Sequence, residues 1–334
     1  MSSVREIARM VGISPATVSR AINNHPTVAP EVRQRVLAAI NRAGYRPTVG
    51  KRSTTNIAFL YTGASSLGSP YDAAVMQGMA DRMDDLGFDL IILNTGRALL
   101  PGESFTQMFH RKSVRGAVIR TDNRTRHLVQ AIAEEGFPAV VIGDRFEDPN
   151  VCSIYCDSRK TSAEAVEHLI ALGHERVAIC INRVDDSDHL DRLNGYYDAM
   201  DAAGLARDER LVYREEANLI GGQQLIRKLH AGRDTPTAIY IGDPLTAVGA
   251  INEAGRLGMK VPDDLSIVGF DDNELRQITQ PQMTSVVQDA REVGREAFEV
   301  LQQLIERRKS SDVERRVLPT RFELHASTAG PRTA

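Results

Sequence analysis

Tryptophan is absent from the 334 residues and aromatic side chains make up only 5%, so no indole platform is available for stacking a ligand. Cysteine is scarce and odd in number. Cys152, Cys156 and Cys180 lack the CxxC spacing of a zinc or redox site and fit buried free thiols in a reducing compartment. Long apolar runs are missing: the longest, at 57–61 and 138–142, are strand-length and far below the roughly 20 residues that cross a bilayer, which excludes a membrane span. Arg5 and Arg9 are followed by no apolar core and small-residue cleavage site, so no export signal is expected and the cytoplasm is the expected location. There is no GxSxG elbow, no Walker phosphate loop and no HExxH. His174-Glu175 lacks metal-pair spacing and reads as a loop between helix and strand. With 42% hydrophobic and 25% charged residues the chain is an ordinary globular one, long enough for two or three domains.

Charge is present but unevenly placed. The first 52 residues carry nine lysines and arginines against two glutamates, an excess of seven positive charges. The other 282 carry 32 basic and 42 acidic side chains, so a small basic head precedes an acidic body. A basic segment of this kind suits a polyanion, because cations that neutralise phosphates release condensed counterions. A solvated helical surface gives the same count, and the local pattern decides. Ser3 and Glu6 stand at capping-box spacing ahead of Val4, Ile7, Ala8 and Val11, which predicts a helix of about two turns ending near Gly12. Ser14-Pro15 starts a second helix with Val18, Ala21 and Ile22 on one face; a third runs from Pro30 to Gly44. Two helices meeting across a four-residue turn with a glycine form a helix-turn-helix, whose second helix enters the major groove. Pro15, Ala16 and Arg20 then project outward, and Ser14, Thr17, Ser19 and Asn23 supply short donors for phosphate oxygens. Arg20 suits bidentate reading of guanine, although a phosphate or surface role fits it too.

From Asn56 onward β-rich runs at 57–61, 90–93, 117–119, 139–142, 177–181, 238–241 and 266–269 alternate with helical periods. The expected fold is therefore a small all-α domain followed by an α/β, two-lobed domain of two doubly wound parallel sheets. Ligands of such sheets bind beyond the carboxyl ends of the strands, here in a cleft between lobes. Asp144, Arg145, Asp243 and Asp271 with Asp272 all sit where a strand opens into a loop. Carboxylates and a guanidinium there suit the paired hydroxyls of a sugar.

The run SVREIARMVGISPATVSRAINNHPTVAPEVRQRVLAAINRAGYRP closely resembles the DNA-binding head of the LacI/GalR family of bacterial transcription regulators. The resemblance continues in VVIGDR at 140–145, DSRKTSAEAVEHLIALGHERVAI at 157–179, RLNGY at 192–196, GDPLTAVGAINEAGRLGMKVPDDLSIVGFDD at 242–272 and PTRFELHASTAGP at 319–331. It implies a homodimeric regulator, usually a repressor, which binds double-stranded operator DNA and whose periplasmic-binding-protein-like body takes a small effector, most simply a carbohydrate, with no cofactor and no metal. It also implies effector contacts at Arg192, at Tyr71 and Asp72, and at Asp271, with Asp272 left to cap the next helix. Core packing remains an equal reading for Tyr71, and a helix-surface role is the alternative for Arg192. Gly242 stands where many relatives carry asparagine, which removes a polar contact.

The implied division is a head at 1–47, a linker at 48–56 and a body at 57–334. The first lobe is about 57–156 and 284–315, the second about 157–283 and 316–328. Relatives carry an Ala-Arg-x-Leu element in the linker; the leucine-free, shorter connection here leaves Val49 as the only apolar wedge, with Lys51 and Arg52 to contact phosphate or the minor groove. Ala29 offers no hydroxyl at the cap of the third helix. Apolar residues at 73–83 and 298–305 fit either a dimer face or the core, and the short tail after Pro331 holds no leucine heptad for a tetramer. A sugar-metabolising enzyme with an appended DNA-binding head is the competing reading; a solute receptor is disfavoured by the basic head.

Overall fold

The computed structural model describes residues 3–22, 25, 27–43, 54–64, 67–184, 186–232, 235–306 and 313–332. The head forms α1 (Val4–Val11), α2 (Pro15–Ile22) and α3 (Pro30–Ala43). Ser3 Oγ accepts the Glu6 N–H and caps α1, while Gly12, at φ 74°, closes it in the left-handed region that glycine enters without a Cβ clash. Ile7, Val11, Val18, Ala21, Val28, Val36 and Ile40 make a separate small core. Two of the head's arginines serve that fold: Arg35 donates to the Val11 carbonyl at the end of α1 (2.8 Å), and Arg33 to the His25 and Val28 carbonyls. The linker segment 44–53 lies outside the described residues, and with it the expected wedge.

The body holds two six-stranded sheets. The first comprises β1 (Asn56–Tyr61), β2 (Asp89–Asn94), β3 (Val114–Arg120), β4 (Ala139–Ile142), β5 (Cys152–Cys156) and β11 (Arg315–Leu318), all parallel in the order β11-β5-β4-β3-β1-β2. The second comprises β6 (Val177–Asn182), β7 (Val212–Glu215), β8 (Ala238–Ile241), β9 (Ser266–Asp271), β10 (Thr284–Gln288) and β12 (Thr320–Glu323), in the order β12-β10-β9-β8-β6-β7 with only β12 antiparallel. Helices cover both faces of each, which is why strands such as β8 and β9 are buried along their whole length rather than alternating. Pro70–Met83 and Ala290–Glu306 lie over one face of the first sheet, and Phe105–Arg111 with Arg126–Glu134 over the other. Arg159–Ala171 and Ser187–Ala202 cover one face of the second sheet, Leu219–Ala231 and Pro244–Arg256 the opposite one.

Backbone sets these helices against each other. A Cβ on Gly78 would stand 1.8 Å from the Arg291 carbonyl oxygen, and one on Gly294 would stand 2.0 Å from that of Val75. The apolar residues of 73–83 and 298–305 are accordingly core in large part: Val75, Met79, Met83, Phe298 and Leu301 are all buried under the first sheet.

Two expected lobe boundaries move. Thr284–Gln288 was assigned to the first lobe but pairs with β9 in the second sheet, and Arg315–Leu318 as a whole belongs to the first. The chain thus crosses between sheets after β5, after β10 and after β11. His174 is a buried structural residue: Nδ1 meets Thr237 Oγ1 and Nε2 the Ala329 carbonyl, both at 2.8 Å. Among the described residues no helix is long and apolar enough to cross a membrane.

Candidate functional site

In the head, Val18 and Ala21 turn α2 inward, which leaves Pro15, Ala16, Ser19 and Arg20 exposed on the opposite side. Ser14 Oγ accepts the Thr17 N–H at 3.1 Å and so caps the helix, and it also meets Thr17 Oγ1 at 2.8 Å. The Arg20 side chain makes no hydrogen bond or ion pair among the described residues and is available to an external acceptor. Asn23, Lys51 and Arg52 lie outside the described residues.

A second set of polar groups gathers at the carboxyl ends of the strands of both lobes. From the first lobe, Asp72 in the opening turn of Pro70–Met83 accepts Tyr61 Oη (2.9 Å) and Arg120 Nε (3.2 Å). Burial raises its carboxyl, and the Arg120 charge opposes that rise. The Arg120 guanidinium lies 4.8 Å over the ring of Tyr71, which is itself buried. Gly143, at φ 64°, makes room for both: a Cβ there would meet Arg120 Nη1 at 2.5 Å and Tyr71 Oη at 3.1 Å.

From the second lobe, Asp186 caps Ser187–Ala202 and holds His189 Nδ1, with both bonds at 2.8 Å. Despite its burial, His189 keeps the Asp186 carboxyl below the usual range. Asp188 is buried and accepts no hydrogen bond among the described residues; burial pushes it up to about 6 against the pull of Arg192. Arg192 is only 4% exposed. It lies 3.6 Å over the Phe270 ring and donates from Nη1 to the Gly242 carbonyl. A Cβ at 242 would sit 3.2 Å from Arg192 Cδ, a tight contact that the glycine relieves.

Several side chains bridge the lobes. Asp144 accepts from Arg126 Nη1, from Ser187 Oγ and from the Arg145 N–H, and Arg145 Nη2 donates to Asp191 Oδ1 at 2.6 Å. Burial raises Asp191 to about 6, with Arg145 pulling the other way.

Two expectations are corrected. Asp271 does not face the cleft: it accepts the Leu275 N–H at 3.0 Å, the Arg276 N–H at 3.2 Å and Arg276 Nη1 at 2.7 Å, and so fixes the turn after β9. Asp272, expected to cap, faces Arg192 and accepts from Gln288 Nε2, and burial brings its carboxyl to about 7. Asp243 caps Pro244–Arg256 through the Thr246 N–H at 2.9 Å. Arg120, Arg126, Ser187, Asp188, His189, Asp191 and Gln288 were not anticipated. The segment DSDHLDR directly after a buried strand was the available signal, since it places Asp188 and Arg192 at helical (i, i+4) spacing beside the cleft.

A helix-turn-helix head joined to a two-lobed α/β body with a charged interlobe cleft defines a sequence-specific DNA-binding transcription regulator with an effector-binding cleft. Family models agree: residues 3–48 match "Bacterial regulatory proteins, lacI family" and residues 166–328 match "Periplasmic binding protein-like domain". The chain is 31% identical over 304 residues to HTH-type transcriptional regulator DegA of Bacillus subtilis (strain 168), covering 88% of this chain and 89% of that protein. It is 28% identical to catabolite control protein A of Priestia megaterium, covering 98% and 99%. A solved structure of a transcriptional regulator CelR–cellobiose complex superposes with a TM-score of 0.68 at 27% identity, over 98% of this chain and 100% of that one. The chain belongs to the lacI family of bacterial regulatory proteins.

Proposed function

We propose that the protein is a homodimeric repressor whose two α2 helices read the half-sites of a pseudo-palindromic operator, and whose interlobe cleft binds a hydroxylated small molecule of carbohydrate type. The observation that carries this reading is Arg192, buried between Asp188 and Asp272 beyond the strand ends of the second lobe, with Arg120 of the first lobe acting on Asp188. A ligand seated there touches both lobes and can favour one cleft conformation by its differential affinity for the two. The solved relative in complex with cellobiose supports a carbohydrate as the ligand class.

On the DNA side, Ser14, Pro15, Ala16, Thr17, Ser19, Arg20 and Asn23 form the reading and positioning face, with Arg20 as the base reader and Lys51 and Arg52 adding phosphate contacts. On the effector side, Arg192, Asp72, Arg145 and Asp144 carry forward from the sequence, joined by Asp188 and Asp272. Tyr71 acts through its contact with Arg120, whereas Asp243 and Asp271 support the loops. The division into a head, a connection near 48–56 and a body fits the separate cores of head and body.

Selection of genomic fragments by the purified protein, followed by fluorescence anisotropy on the best duplex, tests the reading. Affinity is expected to fall steeply with salt, since phosphate contacts release counterions. Arg20→Ala is expected to lose about 1–3 kcal/mol of discrimination at one base pair while keeping nonspecific binding. Absence of preference for any fragment at low salt, with and without a carbohydrate panel, refutes the proposal.

A further inference from the structure

We infer that the natural effector is a hydroxylated molecule carrying a protonated amine, and that the cleft discriminates against phosphorylated and carboxylated sugars. This inference rests on reading the cleft as the effector site and adds the ligand's charge.

The charges facing one another from both lobes do not balance. Asp72, Asp186, Asp188 and Asp272 face Arg120, Arg192 and His189. Arg120 is held by Asp72 at 3.2 Å, and His189 by Asp186 at 2.8 Å. Arg192 is the largest opposing charge on both Asp188 and Asp272, with Arg120 and His189 acting more weakly on Asp188, and its Nη1 is already committed to the Gly242 carbonyl. Asp188, only 6% exposed, is therefore a buried carboxyl with no hydrogen bond among the described residues. A buried carboxylate without a partner is costly, and an ammonium group, a compact donor of three hydrogen bonds, is the chemistry that answers it.

The rings at the cleft point the same way. Tyr71 is buried and covered by the Arg120 guanidinium, and Phe270 is a fully buried core ring under that of Arg192, so neither offers a stacking face to a sugar and recognition shifts to polar groups. Arg120 Nη1 and Arg192 Nε are buried without acceptors and supply donors for hydroxyl oxygens. A phosphate would gain those donors but would face Asp186 and, increasingly as pH rises through about 6 and 7, the charged forms of Asp188 and Asp272, and like charges brought together across a binding surface are strongly disfavoured.

The pH behaviour follows from the groups around each acid. Asp188 is faced by Arg192, Asp186 and His189 of its own helix region, and by Arg120, Tyr71 and Cys156 of the first lobe. Asp272 is faced by Arg192, Gln288, Asp243 and Asp271 of the second lobe and by Tyr71 and Cys156 of the first. Both carboxyls are raised, to about 6 and about 7, so a cation must displace protons to bind, and its affinity climbs with pH between these values.

The test is calorimetry on the full-length protein with glucose, galactose and mannose, each beside its 2-amino and 6-phospho derivative. At least one aminated sugar is expected to bind tenfold or more tighter than its neutral parent. That preference should weaken about tenfold in Asp188→Asn and in Asp272→Asn, the scale of one hydrogen bond to a charged group. Binding should release protons near neutral pH, and far-UV dichroism and melting curves establish that the isosteric variants are folded. If a neutral or phosphorylated sugar binds as tightly as its aminated partner, or no aminated sugar binds, the inference is overturned. Where that neutral or phosphorylated sugar loses its binding in Arg192→Ala, the cleft assignment survives and only the charge assignment fails. Binding of an aminated sugar that is indifferent to all three substitutions overturns both.

Discussion

Asp271 and Asp272 are neighbours with opposite fates. Asp271 is fully buried in a bidentate arrangement with the following turn and Arg276, so Asp271→Ala leaves Arg276 with only Glu323 and should cost about 3–5 kcal/mol, read from the urea midpoint. Asp272 behaves in the reverse sense. Its carboxyl is raised in the folded protein to about 7, so the native state holds a proton there that the unfolded chain releases above about pH 4. Its contribution is therefore favourable at low pH and lost as pH rises towards 7. Asp272→Asn, which cannot ionise, is expected to melt above the parent by a margin that is small at pH 5 and grows up to pH 8. The sequence placed both aspartates at a strand end but reversed their roles. Successive side chains point to opposite faces, and the phase of that alternation at the last residue depends on how the following turn folds.

The elements themselves were far more legible than their side-chain roles. α1, α2 and α3 lie where Ser3, Gly12, Ser14-Pro15 and Pro30 punctuate the chain, and most of the strands found by pattern are buried central strands, with the edge strand β2 the exception. The strands at 152–156, 212–215, 284–288, 315–318 and 320–323 went unread: three of them, β7, β11 and β12, lie at sheet edges with mixed polarity, and β5 and β10 mix serine, threonine, glutamine or cysteine into the strand, so no continuous apolar run marks them. Close helix pairs are another property invisible to periodicity, because a glycine announces no partner. Gly294→Ala must push Ala290–Glu306 away from the Val75 carbonyl, and a loss of about 1–3 kcal/mol is expected in denaturant unfolding, the range for overpacked interiors. In the head, Ser14→Ala removes the cap on α2 and should lower its stability by about 1 kcal/mol, visible as earlier melting of helical signal and weaker operator binding.

Across the whole molecule the lobes are joined by side chains of the protein itself. Arg145–Asp191 and Asp144–Ser187 run from the first lobe to the second independently of the chain crossings. Arg145→Ala is expected to favour an open cleft, with a larger radius of gyration in small-angle scattering and an effector midpoint raised by about tenfold, because the ligand must then supply the closure. An unchanged radius and midpoint would show that these bridges do not hold the cleft.

The order in which the chain visits its two sheets also shapes how the protein is made. Among the described residues the small core of the head draws on none beyond Ile40, so it can form while most of the chain is still unsynthesised. The first sheet, by contrast, waits for Ala290–Glu306 and for β11, which leave the ribosome only after almost all of the second lobe. A prematurely terminated chain would therefore carry a DNA-reading head with no finished sensor behind it, and quality control must act on the body to keep such fragments off the genome.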